Sequence, residues 1–288
     1  MLEGTPAEPS VEWDLVIRPE TGWFDLHLRD LWRYRDLVGL FVRRDFVSYY
    51  KQTILGPLWY LIQPLLATLT FTVIFGKMAK LSTDGLPPFL FYMAGVTGWT
   101  YFADCLSRTS DTFISNANLF GKVYFPRLAA PLSLVISGLI KFAVQFAFFL
   151  AFLIFYLVRG APIKPNAWIT LTPVLLLIMA GLGLGSGIVI SSLTTKYRDL
   201  RFLVGFGVQL LMYLTPVVYP LSAVSEKYRW AILLDPMTPL IETFRYAFLG
   251  AGTVSLLHLA YSAVAAVTVL FLGMLLFNRV EKTYMDTV

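Results

Sequence analysis

The stretch RRDFVSYYKQTILGPLWYLIQPL, Arg43 to Leu65, decides how the rest of the chain is read. Its first half is basic and aromatic, with Arg43, Arg44, Asp45 and Lys51 among Phe46, Tyr49 and Tyr50. After Gly56-Pro57 the charges stop and an apolar run begins. Proline is tolerated in the first turn of a helix, where its missing N–H is not needed, so Gly-Pro predicts a bend followed by a new helix. A charged, aromatic segment turning into an uncharged helix suits a chain that passes from a membrane surface into lipid.

Upstream of the bend, residues 28–50 read as an amphipathic helix. At 100° per residue Leu31, Tyr34, Val38, Phe41, Val42 and Tyr49 gather on one side, and Arg29, Arg33, Asp36, Arg43 and Arg44 on the other. Arg35 and Asp45 fall on the apolar side. Such a helix lies in the headgroup plane with its apolar face down; the plainer alternative is a basic flank that only orients the first span.

Downstream, six segments are apolar for the roughly twenty residues that a crossing helix requires: 58–76, 86–107, 128–157, 167–194, 202–219 and 255–278. The second carries Asp104 near its end and the third Lys141 at its middle. Six crossings place both termini on one side. With the termini inside, Lys and Arg favour that side by about two to one, so the termini are expected in the cytoplasm. The opening MLEGTPAEPSVEWD lacks the basic start and apolar core of a secretion signal. Residues 1–27 therefore read as a cytoplasmic N-terminal segment, and 28–288 as one membrane domain.

Between the last two spans lies Tyr219–Gly250, too apolar for a free loop and broken by Pro236 and Pro239. Its charges (Glu226, Lys227, Arg229, Asp235, Glu242, Arg245) argue against two more crossings. It reads as two short helices that dip into the outer leaflet and return, which irregular backbone tolerates only beside protein or a water-filled cavity. The expected fold is thus all-α and membrane-integral, with six transmembrane helices, an N-terminal interfacial helix and an outer re-entrant hairpin.

Composition agrees. The chain is 57% hydrophobic and 14% charged, with mean hydropathy +0.67, against about a quarter charged for soluble domains. The net charge of +5 belongs with topology and not with nucleic acid, whose basic groove needs a soluble face. The single Cys105 excludes an intrachain disulfide.

Little in the sequence supports bond chemistry. Neither Gly76-Lys77-Met78 nor Gly121-Lys122-Val123 has the Ser or Thr of a P-loop, and no strand precedes either. His27 and His258 are isolated, with no carboxylate or His cluster for a metal. No catalytic or metal residue is expected, and the chain is not expected to be an enzyme. GLGLGSG, Gly181 to Gly187, sits inside an uncharged span and reads as a close-packing helix face instead of a nucleotide loop.

Lys141 is the costliest residue, since a charge at mid-bilayer carries at least about 2.5–3.5 kcal/mol. It must face protein or water, and Gln145 lies one turn on. The pair is either a polar patch in a transport path or a packing device fixing the third helix. Phe202, Phe206, Gln209 and Tyr213 recur along one face of the fifth span, and Tyr60 and Gln63 along the first. Aromatic rings with interspersed amides suit a sugar chain; ordinary helix packing is the alternative. The loop RTSDTFISNANLFGKVYFPR, Arg108 to Arg127, carries Phe113, Leu119, Val123 and Phe125. A solvated connector does not need these side chains, so a docking surface for a cytoplasmic motor is expected there.

Taken together, several motifs carry a family resemblance: Arg44-Asp45 followed by YYKQTILGPLWYLIQP, then NLFGKVYFPR, YRDLRF at 197–202, TPVVYP at 215–220, DPMTPLIETFR at 235–245, and the early GWFDLHLRDLWRYRDL. From about residue 16 onward the chain resembles the permease subunit of type-2 ATP-binding-cassette exporters. The branch is the bacterial one that moves lipid-linked O-antigen, capsule or teichoic acid chains across the inner membrane. An exporter of a drug or small lipid is the alternative within that architecture.

The resemblance implies a homodimer joined to two copies of a separate ATPase, which would hold ATP and magnesium, with no cofactor in this chain. It implies that Asn116, Asn118, Lys122, Tyr124 and Arg127 couple to the ATPase. The residues at 28–50 would form the interfacial helix, and Tyr219, Trp230, Glu242 and Arg245 would belong to an outer gate. Arg43, Arg44 and Lys51 are expected to contact the lipid headgroup, where clustered cations suit a pyrophosphate. Two departures fall at the gate: Thr215-Pro216, where the family more often has Ser-Pro, and Asp235-Pro236, where it more often has Asn-Pro.

Overall fold

The computed structural model describes residues 28–51, 54–120, 125–194, 197 and 199–285, and their regular structure is helical throughout. In chain order the helices are α1 (Leu28–Arg33), α2 (Arg35–Lys51), α3 (Trp59–Phe71), α4 (Pro88–Ser110), α5 (Thr112–Ser115), α6 (Ala117–Phe120), α7 (Ala129–Val158), α8 (Thr172–Thr194), α9 (Leu200–Leu214), α10 (Glu226–Leu233), α11 (Met237–Leu249) and α12 (Leu256–Met285).

Among the described residues, four segments are long and apolar enough to cross a bilayer: Gly56–Met78, Ala129–Val158, Ala167–Thr194 and Leu256–Val280. They coincide with the first, third, fourth and sixth expected spans. The other two differ for physical reasons. α4 has 23 residues, about 35 Å at helical rise, but contains Thr, Gly, Asp104 and Arg108. It packs against α3, α7, α8, α9 and α11, and Leu90 through Trp99 is buried without a break. A helix enclosed by protein can keep polar residues that a lipid-facing one cannot. α9 has 15 residues and ends before Thr215-Pro216, about 22 Å of helix against a hydrocarbon core of about 30 Å.

Glycines set the central packing. A Cβ on Gly183 would stand 2.7 Å from the Cys105 Cβ, and one on Gly187 2.6 Å from the Thr109 Cβ, both on α4. One on Gly185 would meet the Leu270 backbone nitrogen of α12 at 2.6 Å. The GLGLGSG run therefore serves two neighbours at once, bringing backbone against backbone.

The expected elbow is present: Gly56 has φ +49° and opens a short 3₁₀ turn into α3 with Pro57 at its start. The first span is irregular beyond it. Pro64 lies inside α3, the Thr68 hydroxyl donates to the Pro64 carbonyl at 2.8 Å, and the helix widens into a π-helical stretch over Thr72–Met78. Proline and π turns are recognised causes of bending.

The expected interfacial helix is broken at Tyr34 into α1 and α2, and its apolar face does not simply lie on lipid. Val38 and Phe41 are buried in a second core with Phe113, Phe120, Phe125, Ala129, Ala130, Ile188 and Phe277. Phe41 meets Phe125 edge-on at 5.6 Å. The helix is docked on the bundle, with Trp32 and Leu40 left exposed.

Candidate functional site

At the end of the bundle expected to face the cytoplasm, three charges that interrupt apolar patterns turn out to belong together. Asp45 of α2 accepts from Arg44 Nη2 at 3.2 Å and from Arg108 Nη2 at 2.9 Å. Asp104, one turn before Arg108 on α4, takes Lys141 Nζ of α7 at 3.2 Å, and Arg108 Nη1 lies 4.0 Å away. The Lys141 ammonium also sits 5.9 Å from the ring centroid of buried Tyr60. This ladder ties the docked helix, α4 and α7 into one unit and borders a small crevice with Phe46, Ser137 and Ile140. Its three cations exceed its two carboxylates by one charge. Arg43, Arg44 and Lys51 are all exposed.

The expected Lys141–Gln145 patch divides. Lys141 joins the ladder, whereas Gln145 is only 3% exposed and its Nε2 has no hydrogen-bond partner among the described residues. Of the first-span residues Tyr60 is buried and Gln63 exposed.

The fifth-span stripe is a coherent surface. Phe202 and Phe206 are 81% and 62% exposed, Gln209 and Tyr213 are exposed with them, and no residue of α9 is buried. A row of bare aromatics and an amide on a loosely held helix is a surface that a single copy of the chain leaves open.

The hairpin is the opposite. Every residue of α11 except Tyr246 is buried. Arg245, 1% exposed, donates to Glu242 Oε1 at 2.7 Å and to the carbonyls of Pro216 and Val217 at 2.9 and 3.2 Å. Its guanidinium lies 3.8 Å from the Phe91 ring centroid. Glu242 Oε2 accepts from the Thr253 backbone N–H at 3.1 Å. A buried ion pair holds only when its remaining donors and acceptors find partners, and these largely do.

A second knot was missed in the sequence: the Thr215 hydroxyl donates to Asp235 Oδ2 at 2.6 Å, and the Met237 N–H donates to Asp235 Oδ1 at 3.0 Å. Burial pushes the Asp235 carboxyl up, opposed by the hydrogen bonds from Thr215, Met237 and Thr238. Of the other residues expected at an outer gate, the Tyr219 hydroxyl donates to the Leu214 carbonyl at 2.6 Å, and Trp230 on α10 is 65% exposed.

In the expected coupling segment, the apolar residues serve this chain's own core. Phe113, Phe120 and Phe125 are buried, and Phe113 stacks on Phe277 at 4.5 Å. Their hydrophobicity is accounted for without an external partner. Asn116 donates to the Thr112 carbonyl at 3.0 Å, and Arg127 is buried with its guanidinium 5.4 Å from the Phe120 ring centroid. Lys122 and Tyr124 lie outside the described residues, as does the side chain of Asn118. Just before the segment, Asp111 Oδ1 and Arg201 Nε of α9 stand 3.0 Å apart as an ion pair without hydrogen-bond alignment, a pairing that no local sequence pattern announces.

The comparisons fit this architecture. Two proteins of Klebsiella pneumoniae, each named O-antigen export system permease protein RfbA, are 26% identical to the chain. The first aligns over 251 residues, 87% of this chain and 94% of the relative. A protein of the same name from Myxococcus xanthus is 26% identical over 77% of this chain and 83% of its own length. Residues 36–249, from the docked helix to the end of α11, match the ABC-2 type transporter family, and the chain is a member of that family.

Proposed function

We propose that the chain is the permease subunit of an exporter that moves lipid-linked, O-antigen-like polysaccharide across the bacterial inner membrane, powered by a separate ATPase. The observation that carries the reading is family membership together with three relatives, all named for O-antigen export, two of them aligned over nearly their whole length. An exporter of a drug or small lipid shares the architecture, but none of these relatives carries such a name.

In this reading α3, α4, α7, α8, α9 and α12 make six crossings, with both termini in the cytoplasm and α10–α11 as the outer re-entrant hairpin. The Lys and Arg bias supports that orientation. The short α9 crosses with the help of the Thr215–Pro220 segment. Two copies form the passage and two ATPase copies, carrying ATP and magnesium, drive it. The open aromatic face of α9, with Phe202, Phe206, Gln209 and Tyr213, lines the passage with Gln63, its rings stacking on the C–H faces of sugars. Arg43, Arg44 and Lys51 receive the anionic headgroup beside the Arg44–Asp45–Arg108 rungs, and the segment from Asn116 to Arg127 meets the ATPase. The permease breaks no bond. Its states differ in access, and the ATPase shifts their populations by binding one state better than the other.

Reconstitution tests the reading: the chain and its ATPase in liposomes are given a polyprenyl-diphosphate-linked glycan, and ATP hydrolysis is measured. Stimulation by the glycan is expected. A rate unchanged by glycan but raised by a small amphiphile would transfer the assignment to the alternative.

A further inference from the structure

α9 is distinguished by how little holds it. Beside its C-terminal end lies an open cleft of about 390 Å³ bordered by its own Leu211 and Leu214, by Phe102 of α4, by Leu182 of α8 and by Leu234 and Asp235 before α11. Side chains lining the cleft have no packed protein atoms opposite them, so this end of α9 is held less firmly against α4 and α8 than a close-packed helix. Its two ends, by contrast, are tied. The C-terminal end is fixed through Thr215 to buried Asp235. The N-terminal turn is linked more weakly, by the ion pair of Arg201 with Asp111.

The two partners of that second tie belong to differently packed parts of the chain. Asp111 closes α4 and precedes α5, whose Phe113 is buried, donates its backbone N–H to Ser191 Oγ at 3.3 Å and stacks on Phe277 of α12. Arg201 belongs to a helix with no buried residue. The pair is 54% and 26% exposed, and an exposed ion pair contributes little to folding because water screens it. Its position, between the segment that carries α5 and α6 and the helix α9, is that of a link.

We propose that Arg201 and Asp111 are a positioning pair that transmits movement of the α5–α6 segment to α9 and so displaces the aromatic face of α9 during the export cycle. This rests on the reading that the segment from Asn116 to Arg127, which follows α5 directly and includes α6, meets the ATPase. Neither residue touches the substrate; each acts through α9.

The test uses the full permease–ATPase complex in liposomes with a polyprenyl-diphosphate-linked glycan. Arg201→Glu, Asp111→Lys and the exchanged double variant Asp111→Arg/Arg201→Asp are compared for ATPase retention, basal ATP hydrolysis and glycan exported per ATP. Each single variant is expected to retain the ATPase and its basal hydrolysis, while export per ATP falls by about fivefold or more, the scale of a typical coupling between sites. The exchanged variant is expected to recover to within about twofold, within the same scale of coupling, a rescue that a merely local packing role would not produce. Wild-type export per ATP in the singles overturns the proposal. So does an exchanged variant as poor as the singles, and so does loss of the ATPase from the singles, which would make the pair a docking element. A cysteine at exposed Ser115 reports the underlying reading separately. Cross-linking to the ATPase without the rescue pattern sinks the pair alone, and the rescue pattern without cross-linking sinks the docking reading alone.

Discussion

α9 and α11 are neighbours in sequence and opposites in construction. α11 is buried along its length, pinned by an ion pair inside protein and by carbonyl acceptors at Pro216 and Val217. α9 has no fully buried residue, packs on the core only through partly buried side chains such as Val204 and Val208, and shows its aromatics to the outside. The difference separates two jobs that apolar helices share in composition. α11 contributes buried packing; α9 contributes exposed surface. The second helix of the segment expected to form an outer gate is thus buried along nearly its whole length.

The sharpest way to break this contrast is Arg245→Met. It leaves Glu242 buried without its cation, a change that costs about 3–5 kcal/mol, so the purified permease should lose most of its thermal stability or fail to accumulate. Adding Glu242→Gln should restore much of it. An unchanged melting temperature for the single variant would show that α11 is not the anchor. Next comes Thr215→Val, which removes the hydroxyl from a buried carboxylate. Hydrogen bonds to charged groups contribute about 1.5–3 kcal/mol, and Thr215→Ser should be nearly silent in the same melts.

Gly95→Ala probes the same region by crowding it: a Cβ there would stand 2.8 Å from the Val217 carbonyl oxygen and 3.0 Å from Arg245 Nη2. Overpacking of this kind costs about 1–3 kcal/mol, read as a lowered melting temperature. The smallest stability effect is expected where the functional one should be plain. Phe206→Ala with Tyr213→Ala on α9 should change stability by no more than about 0.5 kcal/mol, as exposed positions do, while export of long glycans slows. Export at the original rate would remove α9 from the passage wall.

The lipid-facing spans were legible in the sequence because each must be apolar almost all round. α4 was less so, since its neighbours supply the burial and free it to carry threonines, glycines and Asp104. The ladder was visible only as three blemishes: Asp45 on an apolar face, Asp104 near a span end and Lys141 at mid-span. Each anomaly marked a real partner, but the partners lie 63 and 37 residues apart, and an ion pair leaves no periodic trace across such distances. Phe113, Phe120 and Phe125 show the converse. An apolar side chain signals that something covers it, and the sequence does not say whether that is another protein or the chain itself. Thr215 and Asp235, the two departures from the family pattern, were noted as separate and prove to touch.

The Asp104–Lys141 rung also bears on how the protein is made. α4 leaves the ribosome while the cation that neutralises its carboxylate, 37 residues later, has yet to be synthesised. Until α7 arrives, α4 is a poor candidate for free residence in oil and needs shelter in the insertion machinery or against α3. Biogenesis should therefore stall at this step when Lys141 is replaced by an apolar residue, and proceed again when Asp104 is neutralised with it.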